Sequence, residues 1–204
     1  MDENLSCNHV FLRGIPAEEP LYSHQSREMR FFTFPIEVER LSGAVDRLNV
    51  ILRESQLSDL QTSRAGLLDV EGELRSFNNR SGEGHRLVIT VFARILQPGT
   101  APEWENQVEL TGTLCKAPNL RTTPLGREIC DLMLAVNRPY GRSDYLPCIA
   151  WGAAAREAAK WGVGTRLELR GRLQSREYIK LSPGGDSARR TAYEVSASRI
   201  TPLR

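Results

Sequence analysis

The chain contains an internal repeat, and this repeat limits the folds it can adopt more than any other feature. Residues 8–14 (NHVFLRG) match residues 106–112 (NQVELTG) at an offset of 98 positions. The same offset relates Val38 to Val136, Arg40 to Arg138, Asp46 to Asp144 and Gly66 to Gly164. A single insertion then changes the offset to 99, which relates Gly72 to Gly171, Leu74 to Leu173 and Ser76 to Ser175. This ordered series predicts a tandem duplication of a unit of about 100 residues, an ordinary domain size.

Each unit has the residue pattern of short β-strands. In the second unit, apolar residues alternate with polar ones at 108–114, 132–136, 167–173 and 193–197, and a further apolar run covers 148–151. Alternation with period two is typical of half-buried strands. Between the strand at 148–151 and the strand at 167–173 lie residues 152–164 (GAAAREAAKWGVG), which indicate a short helix that stops at glycine. The equivalent place in the first unit is occupied by residues 53–66, where Leu57 and Leu60 would share one helix face.

Three strands, a helix and two strands is the order of elements in the OB-fold, a small and partly open barrel that commonly holds oligonucleotides. We therefore predict an all-β chain of two tandem OB-fold five-stranded barrels, each with one short helix. The barrels are expected at residues 5–97 and 104–201, with a semi-rigid linker that contains Pro98 and Pro102. Gly171, in a strand interior and repeated in both units, is expected to serve a bend or a close approach of the backbone.

The charge is divided unevenly between the two units. Residues 1–100 hold 11 Arg and no Lys against 14 acidic residues, whereas residues 101–204 hold 16 basic residues against 11 acidic ones. The net charges are therefore −3 and +5. A basic unit suits a polyanionic partner, because each phosphate that is neutralised releases condensed counterions. Most of the cations are arginines, which can stack on bases as well as pair with phosphates.

Several classes of protein are disfavoured by the sequence. No apolar run reaches the length of a membrane span, and the first ten residues have neither a basic leader nor an apolar signal core, so we expect a cytoplasmic protein. The four cysteines form no CxxC pair, which favours free thiols over a zinc site or a disulfide frame. The three histidines are scattered, and no phosphate-binding loop or nucleophile motif is present. We expect no enzymatic activity, no metal and no cofactor.

The second unit combines aromatic and cationic residues. A protein that binds single-stranded nucleic acid without sequence preference needs cations for the phosphates and flat rings for the bases. Four rings lie beside glycine turns or basic residues: Tyr140, Tyr145, Trp151 and Tyr178. This combination predicts a surface for single-stranded nucleic acid.

The second unit also resembles a known family. The segments NQVELTGTLCKAPNLRTTPLGREICDLMLAVNRPY (106–140), SDYLPCIAWG (143–152) and GTRLELRGRLQSREY (164–178) are similar to the bacterial single-stranded DNA-binding proteins, over almost all of residues 106–200. The resemblance implies that Tyr140, Tyr145, Trp151 and Tyr178 stack on bases. It makes Arg121, Arg138, Arg142, Arg176 and Lys180 the expected phosphate contacts, with Lys116 and Arg172 as further candidates. The family more often has tryptophan at several of the ring positions, so tyrosine here implies weaker stacking.

The resemblance also implies a partner and an assembly. We expect non-sequence-specific binding of single-stranded DNA in replication, recombination or repair, in a nucleoid-associated protein. Family members commonly work as four barrels, so a homodimer of this two-barrel chain would restore that number. RNA is a further candidate ligand, because stacking does not distinguish the sugar.

Purely structural roles remain open for some of these residues, and a different function remains open for the whole chain. Trp151 could belong to the core, Tyr140 could be a turn residue, and Trp104 and Trp161 are interpreted as packing residues. In the first unit, the four ring positions are occupied by Ser42, Arg47, Arg53 and Asn79, so this unit is expected to have the fold without the binding surface and to serve a structural or assembly role. The alternative function is an OB-fold assembly module that docks on replication proteins, with nucleic-acid contact secondary.

Overall fold

The structure is a computed structural model that describes residues 7–62, 66–78, 87–181 and 187–203. Within these ranges, the side chains of Tyr140, Lys180, Leu181, Ala188 and Arg189 lie outside the description. The described chain is mostly strand, as the alternating apolar pattern predicts. Neither of its two helices has the length and apolar character that crossing a membrane requires.

The two units have the same order of elements. The first contains β1 (Asn8–Pro16), β2 (Leu21–Ser26), β3 (Met29–Glu39), β4 (Val45–Arg53), α1 (Leu57–Thr62), β5 (Leu68–Asn78) and β6 (Leu87–Pro98). The second contains β7 (Glu105–Leu114), β8 (Asn119–Thr122), β9 (Glu128–Arg138), β10 (Arg142–Trp151), α2 (Gly152–Ala158), β11 (Arg166–Leu181) and β12 (Ser187–Pro202). Single turns of 3-10 helix occupy Glu54–Gln56 and Pro139–Gly141.

Five strands of each unit form a ring around an apolar core. In the first unit β1 pairs with β5, β5 with β6, β6 with β4, β4 with β3 and β3 with β1, and β7 to β12 repeat this order. The ring of strands is only partly closed, because β3–β1 and β6–β4 each pair through only two residues per strand. Inward residues such as Leu12, Ile36 and Leu52 are completely buried. The predicted OB-fold is confirmed, as a partly closed ring.

Each unit has one strand more than the five that were predicted. The additional strands β2 and β8 pair only along β3 and β9 and end the sheet at its two edges. All residues of both strands are exposed, so neither strand carries the apolar alternation that marks a half-buried strand. This absence of a buried face explains why the sequence pattern missed them.

The repeated glycines have the structural role that the sequence indicated. Gly72 and Gly171 stand at register shifts in the β5–β6 and β11–β12 pairings. A Cβ atom on either glycine would lie 2.2 Å from a carbonyl oxygen of the facing strand, that of Phe92 or Ser196. The barrel strands therefore approach too closely at these points for any side chain.

The two barrels are joined strand to strand with approximate two-fold symmetry. Strands β1 and β7 pair in antiparallel fashion over six residues each, which makes one continuous twelve-stranded sheet. Val10 lies opposite its own repeat equivalent, Val108, so the pseudo-two-fold axis passes through this pair. A pairing of equivalent surfaces is the geometry of a symmetric dimer, here formed within one chain.

Residues that recur in both units form two reciprocal inter-barrel Arg–Asp–Ser clusters. The buried carboxylate of Asp144 accepts hydrogen bonds from Arg138 of its own barrel and, across the interface, from Arg75 (3.1 Å) and from the backbone N–H of Ser76 (2.5 Å).

The second cluster repeats this arrangement with the barrels exchanged. Asp46 accepts from Arg40 (2.7 and 2.5 Å) and from the N–H of Ser175 (2.8 Å) of the second barrel. The recurrence of Arg, Asp and Ser in the repeat therefore reflects the interface between the barrels.

The linker is tied to the first barrel by a buried ion pair. Asp69 accepts from the Arg13 guanidinium (2.6 and 3.0 Å) and from the backbone N–H and hydroxyl of Thr100 (3.1 and 2.8 Å). Burial raises the pKa of Asp69, but the donors from Arg13 and Thr100 outweigh burial, and the net direction is downward. The carboxylate is thus held ionised in the folded chain.

The Asp69 ion pair gives a pH-dependent prediction. Because its folded pKa is lowered, the carboxylate stabilises the fold above its ordinary pKa, and this contribution is lost as the pH falls through the folded pKa. Asp69→Asn is expected to lower the free energy of unfolding by about 2 kcal/mol at pH 7, the scale of hydrogen bonds to a charged group. Urea unfolding at pH 7 and near pH 3 checks this: the gap from wild type should narrow in acid, and an equal gap at both pH values would contradict it.

Candidate nucleic-acid interface

The second barrel carries a broad groove on its outer surface. Its volume is about 970 Å³, and strands β7, β11 and β12 supply most of the wall. Five arginines and one tryptophan line it: Arg40, Arg127, Arg170, Arg172, Arg176 and Trp151. Arg40 comes from the first barrel, and the clusters described above hold it in place. We call this surface the second-barrel groove.

Trp151 has the geometry of a ligand-facing ring. It is the last residue of β10 and is half-buried, and its indole N–H donates to the Ser196 hydroxyl on β12 at 3.0 Å. This bond fixes the ring at the wall of the groove. Trp104 and Trp161 instead pack against the buried core, as predicted. The structure therefore does not support the interpretation of Trp151 as a core residue.

The four groove arginines other than Arg40 are weakly engaged by carboxylates. Arg170 pairs with Glu109 at 3.3 Å and Arg176 with Glu194 at 4.0 Å, and both guanidinium groups are largely exposed. Within the described ranges, Arg127 and Arg172 have no ion-pair partner. Exposed pairs of this kind contribute little to stability, so all four cations are available to an anionic ligand.

Sequence reasoning named only part of this groove. It included Arg176 and Trp151 and held Arg172 as a further candidate, but it missed Arg127 and Arg170. The signal for Arg170 was present, because Leu167, Leu169 and Leu173 face inward and the residues between them must face outward. Arg127 lies on the turn before β9, where no periodic pattern marks it.

The other predicted rings occupy different places. Tyr178 is half-buried on β11, with the Arg176 guanidinium 5.6 Å from its ring centroid. Tyr145 on β10 is 50% exposed, and its backbone N–H donates to the Ser76 hydroxyl of the first barrel at 2.7 Å. It therefore lies at the junction of the barrels and does not line the second-barrel groove. The side chains of Tyr140 and Lys180 fall outside the described part of the chain.

Two of the predicted phosphate contacts are occupied by carboxylates. Arg138 belongs to the Asp144 cluster and also donates to the Ser76 carbonyl at 3.2 Å, so its role is to join the barrels. Arg121 makes a two-pronged ion pair with Asp131 (2.5 and 3.0 Å), which raises the pKa of Arg121. Arg138 is thereby corrected to a structural residue, and Arg121 is a weak candidate because its donors already have an acceptor.

Arg142 lines a second groove, of about 610 Å³, where it faces residues of the first barrel. This first-barrel groove includes Phe31, Phe77 and Phe92. Three guanidinium groups surround the Phe92 ring at 5.2, 5.9 and 5.0 Å, those of Arg53, Arg75 and Arg94. The first barrel therefore also carries aromatic and cationic residues on one surface, and its structural or assembly role stays a prediction.

These rings stand at positions other than the four that were compared in the sequence. The pairing of Val50 with Val91 in the first barrel corresponds to the pairing of Cys148 with Val195 in the second. Phe92 is therefore the equivalent of Ser196, and Arg53 is the equivalent of Trp151. In the first barrel the ring thus stands at the position of Ser196, and a polar residue stands at the position of Trp151. A comparison of the first barrel at the four ring positions of the second therefore finds no ring.

Among the described residues, the cysteines indicate no reactive-thiol site, and the residue types that bind metals indicate no metal site. All four cysteines are free; Cys130 and Cys148 are buried, and Cys7 and Cys115 are half-buried. Burial raises the pKa of each of these thiols, which disfavours the reactive thiolate. In the described part of the chain, no group of three or more His, Cys, Asp or Glu could hold a metal ion.

The fold and the basic, ring-bearing groove define an oligonucleotide-binding OB protein, and comparison with known proteins specifies the family. Residues 105–203 match the model of the Single-strand binding protein family. Single-stranded DNA-binding protein B of Bacillus subtilis is 36% identical over 80 residues, which cover 36% of this chain and 71% of that protein. The chain belongs to the single-strand binding protein family. Proteins of this family bind DNA and are not enzymes, which confirms the expectation of a non-enzymatic protein.

Other relatives show how far the similarity extends. Single-stranded DNA-binding protein 3 of Listeria innocua is 33% identical over 102 residues, which cover 47% of this chain and 61% of that protein. The chain spans about half the length of several further relatives. The wild-type single-stranded DNA-binding protein of Thermus aquaticus shares the fold across both barrels: TM-score 0.76 at 24% identity, with 98% of this chain and 94% of that chain covered.

Proposed function

We propose that this protein binds single-stranded DNA without sequence preference, and that the second-barrel groove is its principal site. The observation that carries the proposal is the meeting of Trp151 with Arg127, Arg170, Arg172 and Arg176 on one open surface. The guanidinium groups neutralise phosphates and release counterions, whereas the indole ring stacks on a base. Neither interaction reads a base edge, so the sequence of the strand is immaterial.

The two barrels have different tasks in this proposal. Residues 104–201 form the DNA-binding domain, and residues 5–97 form a partner barrel that positions it. The Arg–Asp–Ser clusters support this division, because they hold Arg40 of the first barrel at the second-barrel groove. The first barrel thus contributes part of the groove wall, while the Arg40 guanidinium itself stays paired with Asp46.

We further propose that two chains associate, so that the working assembly contains four barrels and acts in replication, recombination or repair in the cytoplasm, associated with the nucleoid. Light scattering at micromolar concentration is expected to give the mass of a dimer. A monomer across the micromolar range would contradict the assembly and leave the DNA-binding proposal standing.

A titration with three nucleic acids tests the ligand. Poly-dT is expected to bind with affinity that falls as salt rises, because phosphate contacts release counterions. Duplex DNA is expected to bind far more weakly, since its bases are stacked and cannot reach Trp151. Equal affinity for duplex and single strand would contradict the proposal, and stronger binding of RNA than of poly-dT would reassign the ligand.

Tyr178 offers a test of base stacking beyond Trp151. Tyr178→Ala is expected to weaken poly-dT binding by about fivefold, the low end of stacking contributions, since tyrosine presents a smaller ring than tryptophan. Tyr178→Phe keeps the ring and is the matched control, expected to bind within about twofold of wild type. Equal losses in the two variants would point to the hydroxyl and contradict a stacking role.

A further inference from the structure

We propose that Glu194 is a positioning residue that weakens the hold of the second-barrel groove on a strand, because its carboxylate competes with phosphates for the guanidinium of Arg176. The inference rests on the proposed function, since it concerns how tightly that same site binds. Glu194 thereby gives the groove a built-in limit on affinity, which allows a bound strand to leave.

Glu194 lies among the residues that line the second-barrel groove. It stands two positions before Ser196 on β12, so the two side chains project from the same face of the strand. Ser196 lines the groove and holds the Trp151 indole. On the adjacent strand β11, the residue opposite Glu194 is Gln174, which also lines the groove. The carboxylate therefore belongs to the surface on which the strand binds in the proposed function.

The carboxylate of Glu194 is fixed in place and poorly hydrated. Its side chain is 12% exposed, and it accepts a hydrogen bond of 2.8 Å from the side-chain amide of the buried Gln174. A neutral amide orients the carboxylate but does not cancel its charge. Because little water surrounds this charge, its attraction for a nearby cation is screened less than that of an exposed carboxylate.

Arg176 is the groove cation on which this attraction acts. Its Nε lies 4.0 Å from the Glu194 carboxylate, and its guanidinium lies 5.6 Å from the centroid of the Tyr178 ring. Arg176 is 56% exposed, so a phosphate can reach it. A phosphate that binds Arg176 must therefore compete with an internal carboxylate, and this competition lowers the affinity for the strand.

Two other arginines feel the same charge but have nearer acceptors. The pKa of Arg40 is raised first by its hydrogen bonds to Asp46, and Glu194 adds to the increase. The pKa of Arg121 is raised first by its hydrogen bonds to Asp131, again with a contribution from Glu194. Because these two arginines are already paired, the effect of Glu194 on strand binding falls on Arg176.

The first barrel shows that the fold does not require a carboxylate at this position. Gln174 faces Glu194 in the β11–β12 pairing, and at the equivalent place in β5–β6 Arg75 faces Thr90. The facing pair of the second barrel thus carries one negative charge, whereas that of the first barrel carries one positive charge. The barrel with the positive net charge has an acidic residue on its groove surface where a neutral residue also fits the fold.

The charge is removed at constant shape by Glu194→Gln in the full chain. Affinity for a dT strand of about 35 nucleotides should rise about fivefold, the scale of one partly exposed ion pair. The slope of log K against log salt should steepen by about 0.7, for one further phosphate contact. An abasic deoxyribose-phosphate strand should gain equally, because the competition concerns phosphates. Glu194→Thr, which introduces the residue of the first barrel, should also tighten binding.

Two further variants locate the effect at Arg176. Glu157→Gln removes the same charge on α2, outside the groove, and should raise affinity by less than about twofold, through screened attraction alone. Glu194→Gln added to Arg176→Gln should also gain less than about twofold, because the cation for which Glu194 competes is gone. A gain in Glu157→Gln as large as that in Glu194→Gln, or an undiminished gain in the double variant, would overturn the role of Glu194.

The limit on affinity is expected in the rate at which the strand leaves. A labelled dT strand, chased with excess unlabelled strand, should dissociate from Glu194→Gln several-fold more slowly than from wild type. Its association rate should match that of Glu157→Gln, which has the same net charge. Faster association with an unchanged dissociation rate would overturn the proposal, since that result indicates long-range attraction alone.

The outcomes separate this inference from the proposed function. If wild type binds dT but Glu194→Gln and Glu194→Thr bind it equally or more weakly, Glu194 has a purely structural role, and the proposed function survives. A gain on dT without a gain on the abasic strand would overturn competition for phosphate. If wild type does not bind dT even at low salt, the proposed function itself fails, and the inference fails with it.

Discussion

Replacing Asp144 with asparagine is expected to lower the free energy of unfolding by about 3 kcal/mol, the scale of a broken buried ion pair. Asp144 is completely buried and balances the guanidinium groups of both Arg75 and Arg138. Asparagine keeps the shape but leaves the partly buried Arg138 guanidinium without a counter-charge and leaves Arg75 with Glu73 alone. Urea unfolding, followed by circular dichroism, measures the change.

Two controls locate this effect at the interface between the barrels. Asp46→Asn disrupts the reciprocal cluster and should give a loss of similar size. Asp131→Asn disrupts the half-exposed pair with Arg121 and should cost at most about 1 kcal/mol, as surface pairs do. A loss for Asp144→Asn no larger than that for Asp131→Asn would contradict the structural role given to the clusters.

Reversing the charge of two groove arginines is expected to weaken binding of poly-dT by about 100-fold at 0.1 M salt, because two phosphate contacts become repulsive. The variant combines Arg127→Glu and Arg172→Glu. Both side chains are exposed, and neither has an ion-pair partner within the described residues, so the fold should be unaffected. Fluorescence anisotropy of a labelled strand measures the loss, and the salt dependence should become shallower in parallel.

A matched control tests whether the position of the arginines, rather than the net charge of the chain, determines how tightly the strand binds. Arg156→Glu combined with Lys160→Glu changes the charge by the same amount near α2, away from the groove. This control should weaken binding by less than about fivefold, through screened long-range attraction alone. Similar losses in the two double variants would show that the whole basic unit, and not the groove, attracts the strand.

The sequence predicted the fold because a repeat and period-two alternation both depend on burial. Five strands per barrel have one face in the core, so Leu132, Leu134 and Val136 were sufficient to mark β9. Strands β2 and β8 have no buried face and left no pattern. The helix was predicted because its alanines and terminal glycines are local signals, independent of the rest of the chain.

The site was predicted less completely, since facing residues come from distant strands. Trp151 and Arg176 were found because they stand at family positions, whereas Arg127, on a turn, required the barrel to be built. Arg170 was missed although the alternation along β11 placed it outward. Arg138 was misassigned although a clue was present: its equivalent, Arg40, recurs in the barrel with net negative charge, which favours a structural role. Phe92 was missed because the first barrel has its rings at other positions.

A variant in which Trp151 is the only tryptophan shows whether the second-barrel groove binds single-stranded DNA. The variant Trp104→Phe/Trp161→Phe leaves Trp151 as the sole indole, fixed by Ser196 at the groove wall. We expect dT strands to quench its fluorescence, and we expect log K to fall with log salt at a slope of about −2 to −3, for three to four phosphate contacts. A strand that binds without quenching Trp151, or with no salt dependence, would contradict it.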